Sequence, residues 1–521
     1  MTTLATALAV TLVSVATLVV GVVGLRLSRT TSDFYVASRA IGPAMNASAI
    51  SGEYLSAASF LGVAGLILLH GVDMLWYPVG YTAGYLLLLV FVAAPLRRSR
   101  AYTLPDFAEF RLESLAARQV ATALVVMIGM LYVVPQFQGA GLTLSTLTGA
   151  PTWLGGVIVA ATVLANVVAG GMRSITLAQA FQYWLKLFAL LVPVFFLLPH
   201  VNHHRAPHWS TAGWADPLQG DQALYLTYSI IVATFFGAMG LPHVVVRFYT
   251  NRDGRTARRT TVAVLCLLGV FYLLPTVYGV LGRMFTPDLI AAGHTDSVVL
   301  TLPGRLLDTP LSDLLTALLG AGAFAAFLST TSGLIISVGG VVAQELSNRT
   351  GRGIGPVAAF RWSVCAATAV TLALAIAAAG VAVAHAVELA FAVAASTLCP
   401  LLVLGIWWRG LTPPGAIAGM AVGGLTSGAA VVTVMLGAAP GGTWGSIINQ
   451  PALCTVPIAF VTMLVTSLLT QSRRPAHVAR TMVRLHAPDE IELDRGSYHP
   501  EVPRRGASSA HRSSYRIDRS S

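Results

Sequence analysis

The sequence predicts an all-α polytopic membrane protein with about thirteen transmembrane helices, and three observations lead to this fold class. Hydrophobic residues make up 55% of the 521 residues and charged residues only 10%, whereas a soluble domain carries about 25% charged residues. Apolar segments of roughly 20 residues, enough to cross a bilayer, recur along most of the chain. Arginine collects in alternate connections between these segments, as it does in multi-pass membrane proteins.

The apolar segments define the predicted spans. Two of them, 43–70 and 311–343, are longer than a simple span, which predicts tilt, a kink or a break. The first segment has no basic region before it and is long enough to span, so we expect a retained helix rather than a cleaved signal peptide. The segments are residues 4–25, 43–70, 74–96, 119–148, 152–172, 176–199, 221–246, 261–282, 311–343, 362–383, 387–408, 413–437 and 453–471.

The distribution of arginine predicts the orientation of the chain. With the N-terminus outside, the cytoplasmic connections and the C-terminal tail contain 28 arginines, and the outer loops contain three. Because basic residues are retained on the cytoplasmic side, we expect the N-terminus outside and the C-terminus inside the plasma (cytoplasmic) membrane. The net charge of +11 therefore indicates no nucleic-acid partner.

The chain divides into a membrane domain, residues 1–471, and a tail, residues 472–521. The tail is polar, basic and rich in serine, and we find no periodic apolar face in it. This composition predicts a disordered cytoplasmic tail that contacts anionic membrane lipid. No obligate protein partner is indicated.

Metal and cofactor signals are weak. An outer loop contains His200, His203, His204 and His208, whose spacing suits a metal. No acidic residue or cysteine stands beside them, so a solvated histidine-rich loop is the favoured interpretation. The four cysteines lie in apolar segments without a CxxC pair, which indicates neither a zinc site nor a disulfide framework. We expect no cofactor.

The second span contains an unusual run of small and polar residues. Polar groups inside a bilayer are costly, and small residues alone are explained by close helix packing. A carboxylate is not, and Glu53 lies within the run. We therefore expect a broken helix around residues 47–54, because irregular backbone at membrane depth is tolerated where it lines a site. Tyr54 is a candidate to close over a substrate because it follows the break.

The seventh span is interrupted by Gly237, Gly240 and Pro242. Proline removes a backbone donor and frees a carbonyl group. The two interrupted spans are five spans apart, which predicts an inverted five-plus-five repeat with a site between the breaks. The repeats would cover about 43–199 and about 221–408.

The ninth span contributes adjacent hydroxyl groups, from Ser329 to Ser332. Sodium is a hard cation that prefers oxygen ligands, as calcium and magnesium do, so these hydroxyls could face the freed carbonyls around a sodium ion. Back-bonding of serine and threonine to the helix is an equally good interpretation.

Several motifs in the same order resemble the sodium:solute symporter family, and within it the acetate permease (cation/acetate symporter) branch. The resemblance covers most of residues 32–440, and its most specific stretches are SDFYVASRAIG, ISGEYLSAASFLGVAGL, AGGMRSITLAQ, GLPHVVVRFYT and AAFLSTTSG. It implies a transporter with thirteen helices and an inverted repeat of the leucine-transporter type.

The resemblance also implies a sodium site. Its ligands would be the carbonyls of Ala47, Ile50 and Ala326 and the hydroxyls of Ser329 and Thr330. Gln179 stands where other branches have an aspartate that helps sodium to leave, and Glu53 stands where the acetate branch often has aspartate. Further candidates for substrate binding or coupling are Tyr54, Lys186 and Gly240.

Two basic residues have open roles. Lys186, the chain's only lysine, lies deep in the sixth span. It could pair with Glu53 or Glu388, attract a carboxylate substrate, or bind a local carbonyl or water. Arg247 ends the seventh span, where an anchor at the cytoplasmic border is favoured over a gate.

The predicted function is sodium-coupled symport of acetate or a similar small monocarboxylate by alternating access. A proton-coupled or broad-range carrier of pyruvate, lactate or propionate is the alternative, and a transporter-like solute sensor is another. We expect no enzyme, because the sequence shows no nucleophile–base pair, no H-E-x-x-H and no phosphate loop.

Overall fold

The computed structural model describes residues 2–27, 42–201, 218, 222–249, 254–350, 355–377 and 382–487. Its regular secondary structure in these ranges is helical, without strands. The helices are α1 (Thr2–Leu27), α2 (Pro43–Tyr54), α3 (Val63–His70), α4 (Trp76–Leu87), α5 (Ala93–Ser99), α6 (Leu104–Leu112), α7 (Leu115–Thr148), α8 (Thr152–Val201), α9 (Ala223–Gly240), α10 (Pro242–Tyr249), α11 (Gly254–Phe285), α12 (Asp288–Ala291), α13 (Val298–Leu306), α14 (Pro310–Thr350), α15 (Pro356–Ala377), α16 (Val383–Ser396), α17 (Leu398–Trp407), α18 (Pro413–Met435), α19 (Gly442–Asn449), α20 (Ala452–Leu469) and α21 (Val478–His486).

Eleven helical stretches in the described residues are long and apolar enough to cross a membrane. One of them, Ala58–Ser99, includes parts of two predicted spans, which separate at Gly71, where φ is 78°. A shorter apolar segment, Thr152–Val168, corresponds to a further predicted span. The predicted spans therefore all have helical counterparts, and the all-α membrane fold is confirmed.

Helix α8 contains the fifth and sixth predicted spans in one helical stretch of 50 residues. A straight helix of that length would extend about 75 Å, far beyond the bilayer. Asn166 and Ser174 are eight positions apart, which would separate their backbones by about 12 Å in a straight helix. Their side-chain oxygens lie 3.5 Å apart, so the helical stretch is sharply bent between them, as two separate spans require.

Three spans are interrupted by residues that belong to neither of the helices on each side. Residues 55–57 separate α2 from a π-helical turn, Ala58–Gly62, that leads into α3. Leu241 separates α9 from α10, and Thr397 separates α16 from α17. The second and seventh spans are interrupted as predicted, but residues 47–54 are helical, so the first break lies after Tyr54 and not before it. The third interruption was not predicted.

Helix α14 lies in the middle of the fold and packs against α1, α2, α7, α8 and α15. In the most apolar 18-residue stretch of α14, 72% of the residues are buried, compared with 28% in that of α1. The interrupted second span packs on α8 and α11, and α9 packs on α4 and α16. The breaks thus lie inside the protein, away from lipid, as exposed backbone groups in a membrane require.

The C-terminal region differs from the prediction of a disordered tail without an apolar face. Residues 478–486 form helix α21, which packs on α5 and α6. Its buried residues Val478, Met482 and Leu485 recur at helical spacing, and this short pattern was overlooked. Arg98 donates to the carbonyls of Leu485 (3.4 Å) and His486 (3.3 Å) at the end of α21. Residues 488–521 lie outside the described ranges.

Candidate functional site

The first break, residues 55–57, leaves backbone groups without their helical partners. In a continuous helix the amide of Ala57 would bind the carbonyl of Glu53. Instead the Ala57 amide donates to Oε1 of Gln136 (3.0 Å), and the Glu53 carbonyl accepts from Oγ1 of Thr330 (2.7 Å). Side chains from α7 and α14 therefore replace the missing backbone hydrogen bond, as buried polar groups require.

The other freed carbonyls surround the side chain of Lys186. Its Nζ lies 2.5 Å from the Gly52 carbonyl oxygen, 2.7 Å from the Leu55 carbonyl oxygen and 3.0 Å from Oγ of Ser329. Ser329 Oγ in turn lies 2.7 Å from the Gly52 oxygen and 3.0 Å from the Ala326 oxygen. We call the oxygens of Gly52, Leu55 and Ser329 the oxygen cage. Among the open roles of Lys186, contact with carbonyls is the one that the structure shows.

A buried ion pair connects the first break with α10. Nε of Arg247 lies 2.5 Å from Oε2 of Glu53, and both side chains are at most 3% exposed. Arg247 also donates to Oγ1 of Thr176 (2.9 Å) and to Oε1 of Gln179. Gln179 donates through Nε2 to the Ser329 carbonyl (2.8 Å). The interpretation of Arg247 as a border anchor is therefore wrong, because its charge is neutralised inside the protein by Glu53.

Space for Glu53 depends on a glycine in α14. A Cβ atom at position 333 would lie 1.9 Å from Oε1 of Glu53. Gly333 lies four positions after Ser329 and three after Thr330, so the same helix face supplies both the polar atoms and the gap. The carboxylate can pair with Arg247 only because α14 has no side chain at this position.

The second break, at Leu241, is built by close packing. A Cβ atom at Gly240 would lie 2.3 Å from the carbonyl oxygen of Ala394, which is close to the break between α16 and α17. His243 follows in α10, is buried, and packs its ring against Tyr132 at 5.3 Å. Within the described residues neither ring nitrogen of His243 has a hydrogen-bond partner.

Aromatic side chains fill the space between the breaks. Tyr54, at the end of α2, donates to the carbonyl of Tyr81 (3.1 Å) and packs edge-on against Tyr85 at 4.5 Å. Phe391 of α16 contacts Tyr54, Tyr81 and Tyr132. The ring contacts place Tyr54 and His243 on opposite sides of the same cluster, with Tyr132 and Phe391 between them.

The structure brings most of the predicted site residues together. Ala47 and Ile50 are buried in α2 before the break, and the carbonyls that contact the two hydroxyls belong to Gly52 and Glu53. Gly240 lies at the second break. The predicted residues at the first break are Glu53, Tyr54, Gln179, Lys186, Ala326, Ser329 and Thr330.

Some participants were not identified from the sequence. Thr176 stands one helical turn before Gln179, so its position on the same face could have been inferred. Gln136 is a polar residue next to Pro135 within an apolar span, which is a signal of the same kind as Glu53. His200 is the one described member of the histidine-rich loop, and residues 203, 204 and 208 lie outside the described ranges. No cluster that could hold a metal through histidine, cysteine or acidic residues occurs in the described part of the chain.

Comparison with known proteins identifies the family. Residues 34–423 match the model of the sodium:solute symporter family. The chain belongs to the sodium:solute symporter family. It is a multi-pass membrane protein, and its family and fold are those of transporters, not of enzymes.

Two relatives cover most of the chain. The uncharacterized symporter YwcA of Bacillus subtilis (strain 168) is 30% identical over 469 residues, which is 85% of this chain and 90% of YwcA. A protein of Corynebacterium glutamicum (strain ATCC 13032) named monocarboxylic acid transporter is 30% identical over 483 residues, 84% of this chain and 87% of that protein.

Solved structures show the fold. A Na⁺-coupled sialic acid symporter in a substrate-bound outward-open state has a TM-score of 0.67 at 14% identity, covering 89% of this chain and 98% of that one. Mhp1, a nucleobase-cation-symport-1 family transporter, gives 0.53 at 15% identity over 88% and 99% of the two chains. MhsT gives 0.51 at 14% identity over 81% and 98%. The fold is thus the inverted-repeat leucine-transporter type.

Proposed function

We propose that this symporter carries acetate, or another small monocarboxylate, across the plasma membrane together with a cation. The proposal rests on the excess of positively charged side chains at the first break. Three ionisable side chains contact it in the described residues: Lys186 and Arg247 are cationic, and Glu53 is anionic. An excess buried positive charge is costly unless it is matched, and a monoanion is the substrate that matches it.

The substrate carboxylate has a second source of hydrogen bonds between the two breaks. His243 is 1% exposed and its ring nitrogens lack partners among the described residues, and the hydroxyl of Tyr85 is likewise buried without a partner. Buried polar groups are normally paired. The aromatic rings around these groups offer an apolar surface to a short aliphatic tail, which agrees with a small acid. The name of the Corynebacterium relative supports a monocarboxylate.

Two coupling ions are candidates. Sodium is the ion that the sequence resemblance implies, with Ala47, Ile50, Ala326, Ser329 and Thr330 as its ligands. The proton is the second candidate, because the Lys186 ammonium already holds Ser329 Oγ and two freed carbonyls. The arginine pattern supports an N-terminus outside and a cytoplasmic C-terminus.

Uptake of labelled acetate into proteoliposomes tests the proposal. We expect accumulation above equilibrium when a sodium or a proton gradient is imposed, and none above the level of protein-free liposomes without a gradient. The protein-free control is essential because acetic acid crosses bilayers unaided. Unlabelled propionate, lactate and pyruvate should compete with labelled acetate for uptake, each to an extent that depends on its size. The proposal fails if no gradient drives uptake or if none of these acids competes.

A further inference from the structure

We propose that Lys186 is a tethered cation that permanently takes the place of sodium at Ser329, so that transport by the native chain does not depend on sodium. This inference rests on the proposed function and concerns the choice of coupling ion. Its basis is the oxygen cage at the first break, which is already complete around Nζ of Lys186.

The ammonium group fits the cage in number and in kind. An ammonium has three N–H donors and no acceptor, and the cage offers three oxygens at 2.5, 2.7 and 3.0 Å. Two of these oxygens are carbonyls freed by the break, which are the ligands that hard cations prefer. The cage therefore coordinates Lys186 as it would coordinate an alkali cation.

Glu53 does not compete for Lys186. Its carboxylate is held by Arg247 at 2.5 Å, and within the described residues no carboxylate lies at ion-pair distance from Nζ of Lys186. The Lys186 charge is thus stabilised chiefly by backbone and hydroxyl oxygens. An ion pair alone would be a sufficient reason for a buried lysine, and the structure removes this simpler explanation.

A sodium ion that used Ser329 Oγ would lie within a few ångströms of Nζ. At about 4 Å, repulsion between two unit charges weakens binding by roughly a thousandfold (about 4 kcal/mol at 1.4 kcal/mol per tenfold). Lys186 is also attached to α8, so its occupation of the cage is intramolecular and independent of concentration. Sodium in solution cannot displace a cation that is held in the cage intramolecularly. The proton therefore remains as the coupling ion.

Lys186→Met tests the inference, because it removes the charge and keeps an unbranched side chain. We expect replacement of choline by sodium to change acetate uptake by the native protein less than about twofold, and to raise uptake by Lys186→Met about tenfold or more. Adding Ser329→Ala should abolish that stimulation. Adding Ser332→Ala, whose hydroxyl donates to the Leu328 carbonyl (2.7 Å), should preserve it.

A measurement on the native protein does not depend on whether the variants fold. Lys186 is the only lysine, so labelling with ε-¹⁵N-lysine gives one side-chain signal. We expect this signal to be the same in sodium chloride and choline chloride. A change that saturates with sodium, or saturable sodium stimulation of native uptake, would overturn the inference. Absence of acetate uptake under every gradient would instead reject the proposed function, while the labelled signal would still report on the cage.

Discussion

The two breaks that face each other across the aromatic cluster are built in different ways. At the first, side chains from three other helices bind the freed backbone groups: Gln136 from α7, Lys186 from α8, and Ser329 and Thr330 from α14. At the second, Gly240 packs directly on the carbonyl of Ala394, and the ring nitrogens of the nearby His243 have no hydrogen-bond partner among the described residues. Side chains bind freed backbone groups at the first break, whereas backbone packing closes the second.

The difference assigns a separate role to each break. A network in which side chains bind the freed backbone groups is rigid and specific, which suits a cation site. A close backbone contact with an unpaired imidazole leaves hydrogen-bonding capacity for a ligand. Arg247 joins the two regions, because it lies in α10 after the second break and pairs with Glu53 before the first. Substitutions at each break should therefore separate stability from substrate binding.

The largest effect is expected for Glu53→Gln, which removes the link between the breaks. Arg247 would remain buried without a carboxylate, and the free energy of unfolding in detergent micelles should fall by about 3–5 kcal/mol. The exposed pair of Asp288 and Arg305, about half accessible to solvent, is the control, and Asp288→Asn should cost less than ~1 kcal/mol. An equal loss of unfolding free energy in both variants would show that the buried pair stabilises the protein no more than the exposed pair.

Gly240→Ala tests whether the second break depends on packing alone. The added Cβ would meet the Ala394 carbonyl oxygen at 2.3 Å, so the backbones must separate, and we expect a loss of about 3 kcal/mol in thermal or chemical unfolding. Gly269→Ala in α11 is the matched control, because nothing lies within 4 Å of the added atom. An unchanged stability of Gly240→Ala would contradict the steric description of this break.

Gln136→Leu tests whether the first break depends on polar contacts. The Ala57 amide would lose its acceptor at 3.0 Å, and a buried unpaired donor costs about 1–2 kcal/mol. Gln138→Leu provides the comparison, since Gln138 is only part-buried and donates at 3.3 Å to the Ala375 carbonyl. If Gln138→Leu destabilises the protein as much as Gln136→Leu, the hydrogen bond at the break is not the cause.

His243→Phe should have the smallest effect on stability, within about 0.5 kcal/mol, because no hydrogen bond of the described residues is lost. Acetate uptake should respond strongly, with the half-saturation concentration rising about tenfold. Both quantities can be measured on one preparation. A loss of stability with unchanged half-saturation would place His243 in the packing of α10 and exclude it from substrate binding.

Much of the fold could be predicted because the bilayer restricts which residues a spanning segment can contain. Apolar length gave the spans, and polar or proline residues within them marked two of the three breaks. The break at Thr397 was not predicted although Pro400 follows it, because only Ser396 and Thr397 interrupt the apolar residues around it. Helix α21 was missed because three apolar residues in a basic segment are a weak pattern.

The candidate site could be predicted only in part, because residue type does not give a partner. Ser329 and Thr330 were expected near freed carbonyls, and they are there, but on Gly52 and Glu53. A one-turn difference of this kind depends on where α2 ends, which sequence patterns locate poorly. Arg247 was placed at a border because arginine usually lies there, and only its three-dimensional contact with Glu53 reveals the pair.

Helix α21 contacts both the last turn of α5 and the last residue of α17. It is nine residues long, about 14 Å. The ring of its last residue, His486, packs edge-on against Trp407 of α17 at 4.9 Å, and Arg98 of α5 donates to its final carbonyls. A displacement of a few ångströms between those ends breaks both attachments. The C-terminal segment therefore joins α5 to α17, and a modification that detached it would remove both contacts.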